Sequence, residues 1–138
     1  MIGCVCAGGD WTLSRTAALF FEGTEGLTVE DCEFERNDGN ALMLSGYNRH
    51  ATVRRNNVRW NGGTAITLWG KTDMRSDQGR RGWDATSGDF PRWCSVDANF
   101  VHEVGVFEKQ SSCTFSALAA QNNYSRNTCF NIPRAGME

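Results

Sequence analysis

Short alternations of apolar and polar residues recur along this chain at a fixed interval. When residues 27–46 are set over residues 51–70, a shift of 24 positions, apolar residues fall on apolar residues and turn residues on turn residues. The matched pairs include Val29/Val53, Phe34/Val58, Asn37/Asn61, Gly39/Gly63, Ala41/Ala65, Leu42/Ile66, Leu44/Leu68 and Gly46/Gly70. Self-similarity at such a period is typical of solenoids, in which each unit packs only on its neighbours.

The alternation within each unit predicts the kind of solenoid. Leu42/Leu44 and Ile66/Leu68 alternate with other residues, which is typical of short strands with one buried face. The segments 37–40 (Asn-Asp-Gly-Asn) and 61–63 (Asn-Gly-Gly) have turn chemistry. Three short strands and three turns per unit predict an all-β fold: a single-stranded right-handed parallel β-helix with about 24 residues per coil. The same interval predicts an earlier coil, with Ala17, Ala18 and Phe20 under Ala41, Leu42 and Leu44.

A second motif carries a family resemblance. The spacing Val53-x-x-Asn56-x-Val58 recurs as Val96-x-x-Asn99-x-Val101 and as Tyr124-x-x-Asn127-x-Cys129, with Val29-x-x-Cys32-x-Phe34 as a variant. It resembles the repeat of the pectin-lyase-like right-handed β-helix superfamily, over roughly residues 15 to 138. The resemblance implies inward asparagines stacked at one turn, where each amide satisfies backbone groups of adjacent coils. The superfamily includes lyases, hydrolases, esterases and non-catalytic adhesins, so fold does not give the reaction.

The chain is expected to form one partial β-helix domain over residues 1–138. Residues 1–16 are predicted to be an irregular entry segment, and residues 71–92 an inserted loop of mixed charge that overhangs the solenoid wall. The insertion is interpreted either as a functional loop or as a solvated one. The repeat stops inside the next expected strand, so we expect a fragment of a longer, monomeric β-helix protein.

Composition narrows the function classes only slightly. With 14 basic and 16 acidic residues, nothing indicates a nucleic-acid partner, and no apolar run is long enough for a membrane span. No signal-peptide pattern opens the chain, although an extracellular location is expected for the longer parent. Among six cysteines, Cys32 and Cys129 are predicted to be free thiols in the core, and a disulfide of Cys94 with Cys113 stays open. Zinc at Cys4-x-Cys6 is disfavoured.

The alternation also predicts an outward face. Met43 and Ser45 should point outward, and the next coil adds Thr67 and Trp69. Aligning 105–110 as the following strand would place Phe107 and Lys109 on that face, so that Trp69 and Lys109 become neighbours. The two predicted outward stacks are Leu19, Met43, Thr67, Phe107 and Glu138, and beside them Phe21, Ser45, Trp69 and Lys109.

Glu108 takes an inward position in that alignment. A buried carboxylate must be paired, protonated or turned outward, and Arg134, one coil later, is the expected partner. The pair is interpreted as a structural ion pair or as a perturbed acid or base beside Lys109. His102 is predicted to point outward on a solvated face, with Arg59 and Glu35 as neighbours.

Three functions fit these residues. A lyase needs a base and cations at a uronate, which Lys109, Arg134 and Glu108 would supply as the catalytic group. A glycoside hydrolase needs two carboxylates, and the Asp-Asp signature of the pectin hydrolases is absent. A non-catalytic binding or adhesin β-helix needs only aromatic platforms. Trp60 is interpreted as a further platform or, in preference, as core or edge packing. The residues predicted to bind a polysaccharide are Trp69, Thr67, Phe107, Trp83 and Trp93.

The resemblance favours cleavage of an extracellular acidic polysaccharide by β-elimination, with the binding or adhesin β-helix as the alternative. No cofactor is predicted. Lyases of this superfamily often use Ca²⁺, but the sequence contains no cluster of carboxylates that would hold the ion.

Overall fold

The computed structural model describes residues 15–71 and 88–138, and within these ranges all regular structure is β. The first sheet contains β1 (Leu19–Glu25), β4 (Leu42–Arg49), β7 (Ile66–Trp69), β8 (Pro91–Arg92), β11 (Ser112–Ala117) and β14 (Ala135–Met137). The second contains β2 (Thr28–Glu30), β5 (Thr52–Arg54), β9 (Ser95–Asp97) and β12 (Asn123–Ser125). The third contains β3 (Glu33–Glu35), β6 (Asn57–Asn61), β10 (Phe100–Val104) and β13 (Thr128–Phe130).

Every strand pair within the described residues is parallel, and the chain visits the three sheets in turn. The strand orders are β1-β4-β7-β11-β14, β2-β5-β9-β12 and β3-β6-β10-β13, with β8 pairing the end of β4. Each circuit of the chain therefore adds one rung to each sheet, and we call one circuit a coil. The predicted all-β class is confirmed, and the parallel strands stacked coil on coil are compatible with a β-solenoid.

The strand register confirms the 24-residue interval between the first and second coils. Val29 pairs with Val53 in the second sheet, and Phe34 pairs with Val58 in the third. Val53 pairs in turn with Val96, so the insertion adds 19 residues to that coil, as predicted. The chain rejoins the first sheet already at Pro91, within the segment predicted to be loop. The part of that insertion numbered 72–87 lies outside the described residues.

The core is a column of inward aliphatic side chains from all three sheets. The largest fully buried members are Leu42, Leu44, Val53, Val58, Ile66, Leu68, Val96 and Val101. Because they stack at the spacing of adjacent strands, each coil covers the apolar surface of the next.

The predicted asparagine ladder is present at the corner between the second and third sheets. The Asn99 Oδ1 accepts hydrogen bonds from the backbone N–H and the Nδ2 of Asn56, both at 3.0 Å. The Asn127 Oδ1 accepts the same pair of bonds from Asn99 at 2.9 Å. The residue before each asparagine has a left-handed backbone, which costs about 1–2 kcal/mol for a residue with a Cβ. These φ values are 53° at Arg55, 52° at Ala98 and 54° at Arg126. The ladder therefore satisfies the backbone groups of a strained turn.

The register predicted for the first coil is wrong by one residue. Leu19, not Ala18, pairs with Leu42, and Phe21, not Phe20, pairs with Leu44. Phe20 is exposed, whereas Phe21 packs against the core. The strand is irregular between Glu22 and Thr24: partners before this point are 23 residues apart, and partners after it are 24 apart. A shift of one residue exchanges the two faces of a strand, so the side chains predicted to point inward point outward.

The alignment of residues 105–110 as a strand is also wrong. The separation between partners grows from 43 residues (Asn61 to Val104) to 48 (Ile66 to Thr114), so the intervening turn contains five additional residues. Trp69 consequently pairs with Ala117, and Thr67 with Phe115. We call residues 105–110 the wide turn.

The prediction that Cys32 and Cys129 are free thiols in the core is also wrong. A disulfide joins Cys113 of β11 to Cys129 of β13, with the Cα atoms 6.1 Å apart. Cys94 is buried and free, and Cys32 is free and exposed rather than in the core. The additional residues of the wide turn bring Cys113 to a fully buried position next to Cys129. Cys4 and Cys6 lie outside the described residues.

Candidate functional site

The outward face predicted around Thr67 and Trp69 is not an open platform. Thr67 is only 3% exposed, and Met43 and Ser45 are also buried. The Trp69 ring carries the Arg15 guanidinium 4.3 Å from its centroid, and the Phe115 ring meets it edge-on. A sugar ring would have to displace these contacts before it could stack on Trp69.

The predicted catalytic residues lie at the wide turn and its surroundings, away from Trp69. The Lys109 Nζ donates hydrogen bonds to the backbone carbonyls of Gly105 and Val106, at 3.1 and 2.9 Å. Glu108 is in a turn, not at an inward strand position, so that prediction is wrong. Arg134 donates to the Gln110 side chain and forms an ion pair with Glu138 at 2.6 Å. Lys109 and Trp69 are therefore not strand neighbours, and the predicted site that combined these two residues is not formed.

Trp93 is exposed, but its ring is already in contact with other side chains. The His50 ring stacks on it, with centroids 5.2 Å apart and planes 13° apart. The Arg92 guanidinium lies 4.2 Å from its centroid. Trp93 is therefore part of a stacked cation–aromatic cluster. The predicted Trp83 lies outside the described residues.

The remaining predicted residue, Phe107, lines an open cleft of about 420 Å³. Phe107 is 63% exposed, and Trp60, for which the sequence favoured packing over a role as a stacking platform, is 52% exposed. Within the described ranges no aromatic ring or guanidinium stacks on Trp60, in contrast to Trp69 and Trp93. We call this the Trp60 cleft; its lining residues are Arg36, Asn37, Asp38, Trp60, Val106 and Phe107.

Gly62 allows the cleft to form where three coils meet. A Cβ added at Gly62 would lie 2.0 Å from the Asp38 carbonyl oxygen and 2.8 Å from the Phe107 Cδ2. The Gly62 carbonyl accepts hydrogen bonds from the backbone N–H groups of Phe107 and Glu108, at 3.2 and 2.8 Å. The Gly62 N–H donates to the Asn37 carbonyl at 2.7 Å. The Asn37 side and the Phe107 side of the cleft are therefore both hydrogen-bonded to Gly62, which preorganises the backbone of the cleft.

Trp60 violates a local backbone preference. Its φ is 56°, and the residues at the same corner of the other coils, Arg36, Glu103 and Asn131, have φ of 58°, 49° and 51°. The fold demands a left-handed residue here, for which glycine or asparagine is preferred. A bulky indole at such a position has no packing reason when half of it is exposed, and departures from local rules are typical of functional sites. The equivalence of Trp60 with outward Arg36, one interval earlier, was the sequence signal that could have identified it.

The charged side chains of the cleft differ from those on the rest of this surface in how they are paired. Elsewhere the coils carry paired charges: Arg54 contacts Glu30 at 2.6 Å, and Arg59 contacts Glu33 and Glu35 at 2.5 and 3.0 Å. Among residues 15–71 and 88–138, neither Arg36 nor Asp38 forms a salt bridge. Both side chains are exposed at the cleft and have donors and acceptors to offer a ligand.

A second polar group lies beside Trp60 on the following coil. The pairing of Arg59 with His102 and of Asn61 with Val104 sets Trp60 opposite Glu103. Hydrogen bonds from Asn131 and from the His102 ring hold the pKa of Glu103 below its ordinary value. His102 has the predicted strand neighbour Arg59, and its ring stacks on Phe130 with centroids 5.0 Å apart.

Within the described residues no three His, Cys, Asp or Glu side chains are grouped closely enough to hold a metal ion. No described helix is long and apolar enough to cross a membrane. Neither a protein-family model nor a curated protein nor a solved structure matches this chain. The geometry of the Trp60 cleft is therefore the basis for any functional assignment.

Proposed function

We propose that this chain is a right-handed parallel β-helix of the pectin-lyase-like type that binds an extended carbohydrate in the Trp60 cleft. The observation that carries the proposal is the half-exposed indole of Trp60, free of ring contacts among the described residues, beside Phe107 and two charged side chains outside any described salt bridge. The repeat motif and the asparagine ladder support the fold assignment.

The chemistry of the cleft fits a sugar ring. The axial C–H groups of a pyranose form an apolar face that packs on the electron-rich face of an aromatic ring. Its hydroxyl groups need both donors and acceptors around the rim, which Arg36 and Asp38 provide. Ligand sites commonly combine aromatic walls with a few fixed polar groups in this way. The hydrogen bonds at Gly62 fix the backbone at Asn37 and Phe107, so the main chain of the cleft needs little ordering on binding.

Binding is better supported than cleavage. The lyase prediction depended on Lys109 beside Trp69, and the strand register separates them. The Lys109 ammonium group is also committed to two carbonyl oxygens of its own turn, where it would have to give up both bonds to act as a base. Cleavage of an extracellular acidic polysaccharide stays a prediction from the family resemblance.

The test is a comparison of two tryptophans that share the same backbone conformation. Affinities of the chain and of its Trp60→Ala and Trp93→Ala variants would be measured by titration calorimetry against soluble plant and bacterial polysaccharides. Loss of stacking on Trp60 should cost on the order of 1 kcal/mol, about fivefold in Kd. The matched control Trp93→Ala should retain binding, since the Trp93 ring is already occupied by His50 and Arg92.

Phe107→Ala should weaken binding as Trp60→Ala does, because both rings line one cleft. Equal losses in Trp60→Ala and Trp93→Ala, or full binding by both, would contradict the proposal. Ultraviolet absorbance of each mixture would be followed in parallel, since unsaturated sugar products would show that the chain is a lyase instead.

A further inference from the structure

We infer that the Trp60 cleft selects an uncharged segment of a glycan, read by Arg36 and Asp38, and discriminates against uronate. The inference rests on the proposed carbohydrate-binding function and specifies the class of ligand. It departs from the acidic polysaccharide that the family resemblance predicts.

The first support is the balance of charge inside the cleft. One guanidinium and one carboxylate line it, and within the described ranges neither is neutralised by a salt bridge. A guanidinium only donates hydrogen bonds and a carboxylate only accepts them, whereas a sugar hydroxyl does both. Arg36 and Asp38 together therefore complement neighbouring hydroxyls on one ring. A uronate chain would instead bring a carboxylate to Asp38 at every sugar unit.

The second support is the set of charges around the cleft. Arg59 precedes Trp60, but its guanidinium is bound to Glu33 and Glu35 and is not available to a ligand. Glu103 lies opposite Trp60 on the following coil and adds a negative charge. Counting Arg36, Asp38 and Glu103, the surroundings of the indole are net negative, which is the wrong sign for a polyanion.

The third support is the rigidity of the backbone that carries Arg36 and Asp38. Asn37, between Arg36 and Asp38, donates from its Nδ2 to the Asn61 Oδ1 at 2.7 Å. Its backbone N–H donates to the same oxygen at 3.3 Å. The Asp38 carbonyl packs against Gly62, where no Cβ would fit. Because the backbone is fixed on both sides, the Cα atom of Asp38 keeps its place beside the cleft, and the carboxylate stays within a side-chain length of a bound sugar.

The experiment uses pairs of probes with the same sugar backbone, one carrying a carboxylate at C6 and the other an uncharged group there. The first pair is hexagalacturonate and its fully methyl-esterified form, and the second is hexa-β-1,4-glucuronate and cellohexaose. Affinity would be measured by titration calorimetry at neutral pH and low ionic strength. In at least one pair we expect the uncharged member to bind about tenfold more tightly than the charged one. Raising the salt concentration should reduce that difference, because added ions screen the repulsion.

Two variants that each remove one charge assign the discrimination to single residues. Asp38→Asn keeps the shape and removes the charge, so affinity for the uronate member should rise about threefold or more, with little change for the uncharged member. Arg36→Gln should weaken binding of the uncharged member. Arg126→Gln, a change in an exposed arginine far along the stack, serves as the control and should alter neither.

The outcomes separate this inference from the proposed function. Tighter binding of the uronate members, dependent on Trp60 and Arg36, would overturn the inference and leave carbohydrate binding intact. Unchanged discrimination in Asp38→Asn would also overturn it. Failure of all four probes to bind the folded chain, or binding unaffected by Trp60→Ala, would overturn both.

Discussion

Replacing Asn99 by leucine would test whether the asparagine ladder holds the coils together. The Asn99 side chain makes four hydrogen bonds: it accepts two from Asn56 and donates to the Val53 carbonyl and the Asn127 Oδ1, at 2.9 to 3.0 Å. Leucine has the same number of side-chain heavy atoms, also branched at Cγ, and makes none of these bonds. Asn56 and Val53 are 2% and 1% exposed, so their released groups cannot reach water.

The expected loss follows from the number of buried groups left without a partner. Three fully buried groups lose their bond: the Asn56 backbone N–H, the Asn56 amide N–H and the Val53 carbonyl. Each orphaned buried group costs about 1–3 kcal/mol, and partial relaxation reduces the sum, so we expect about 3–5 kcal/mol. Asn127→Leu should cost a similar amount, because it releases the Asn99 backbone N–H, the Asn99 amide N–H and the Val96 carbonyl, and Asn99 and Val96 are 1% and 0% exposed.

The free energy of unfolding would be measured by urea titration, followed by circular dichroism and tryptophan fluorescence. Asn123→Leu is the matched control, since Asn123 is exposed and its amide donates only to the Ser125 hydroxyl; it should cost less than about 0.5 kcal/mol. A loss in Asn99→Leu no larger than in the control, with an unchanged dependence on urea, would refute the reasoning.

Two further predictions concern the disulfide and the response to acid. Cys129→Ser should lower the free energy of unfolding by about 3 kcal/mol, because the bond to Cys113 closes a short loop of the unfolded chain; the same unfolding midpoint with and without dithiothreitol in the unmodified protein would contradict this. The Arg126 guanidinium, with the Ser125 hydroxyl, holds the pKa of Asp97 at about 2, below its ordinary 3.8. The stability from this contact should therefore be complete above about pH 4 and be lost as the pH falls towards 2, and Asp97→Asn should flatten that part of the stability–pH curve.

The sequence by itself determined the features that depend only on a constant interval. Val29, Val53 and Val96 stack because each occupies the same position in its own coil, and strands of adjacent coils pair in register. The Asn56–Asn99 contact follows from the same spacing, even across the insertion, since both residues come three positions after a paired valine. Backbone pairing between adjacent coils then transmits the register, so periodicity alone predicts these contacts.

Only the tertiary structure decided the functional site, because the site depends on how many residues each non-repeating turn contains. Five additional residues in the wide turn place Phe107 beside Trp60, and not next to Thr67 as the constant interval predicted. The same residues bring Cys113 to Cys129. The length of a turn depends on how the loop packs on the coils around it, and here the wide turn packs on Gly62. Such packing does not repeat from coil to coil, so periodicity in the sequence cannot predict it.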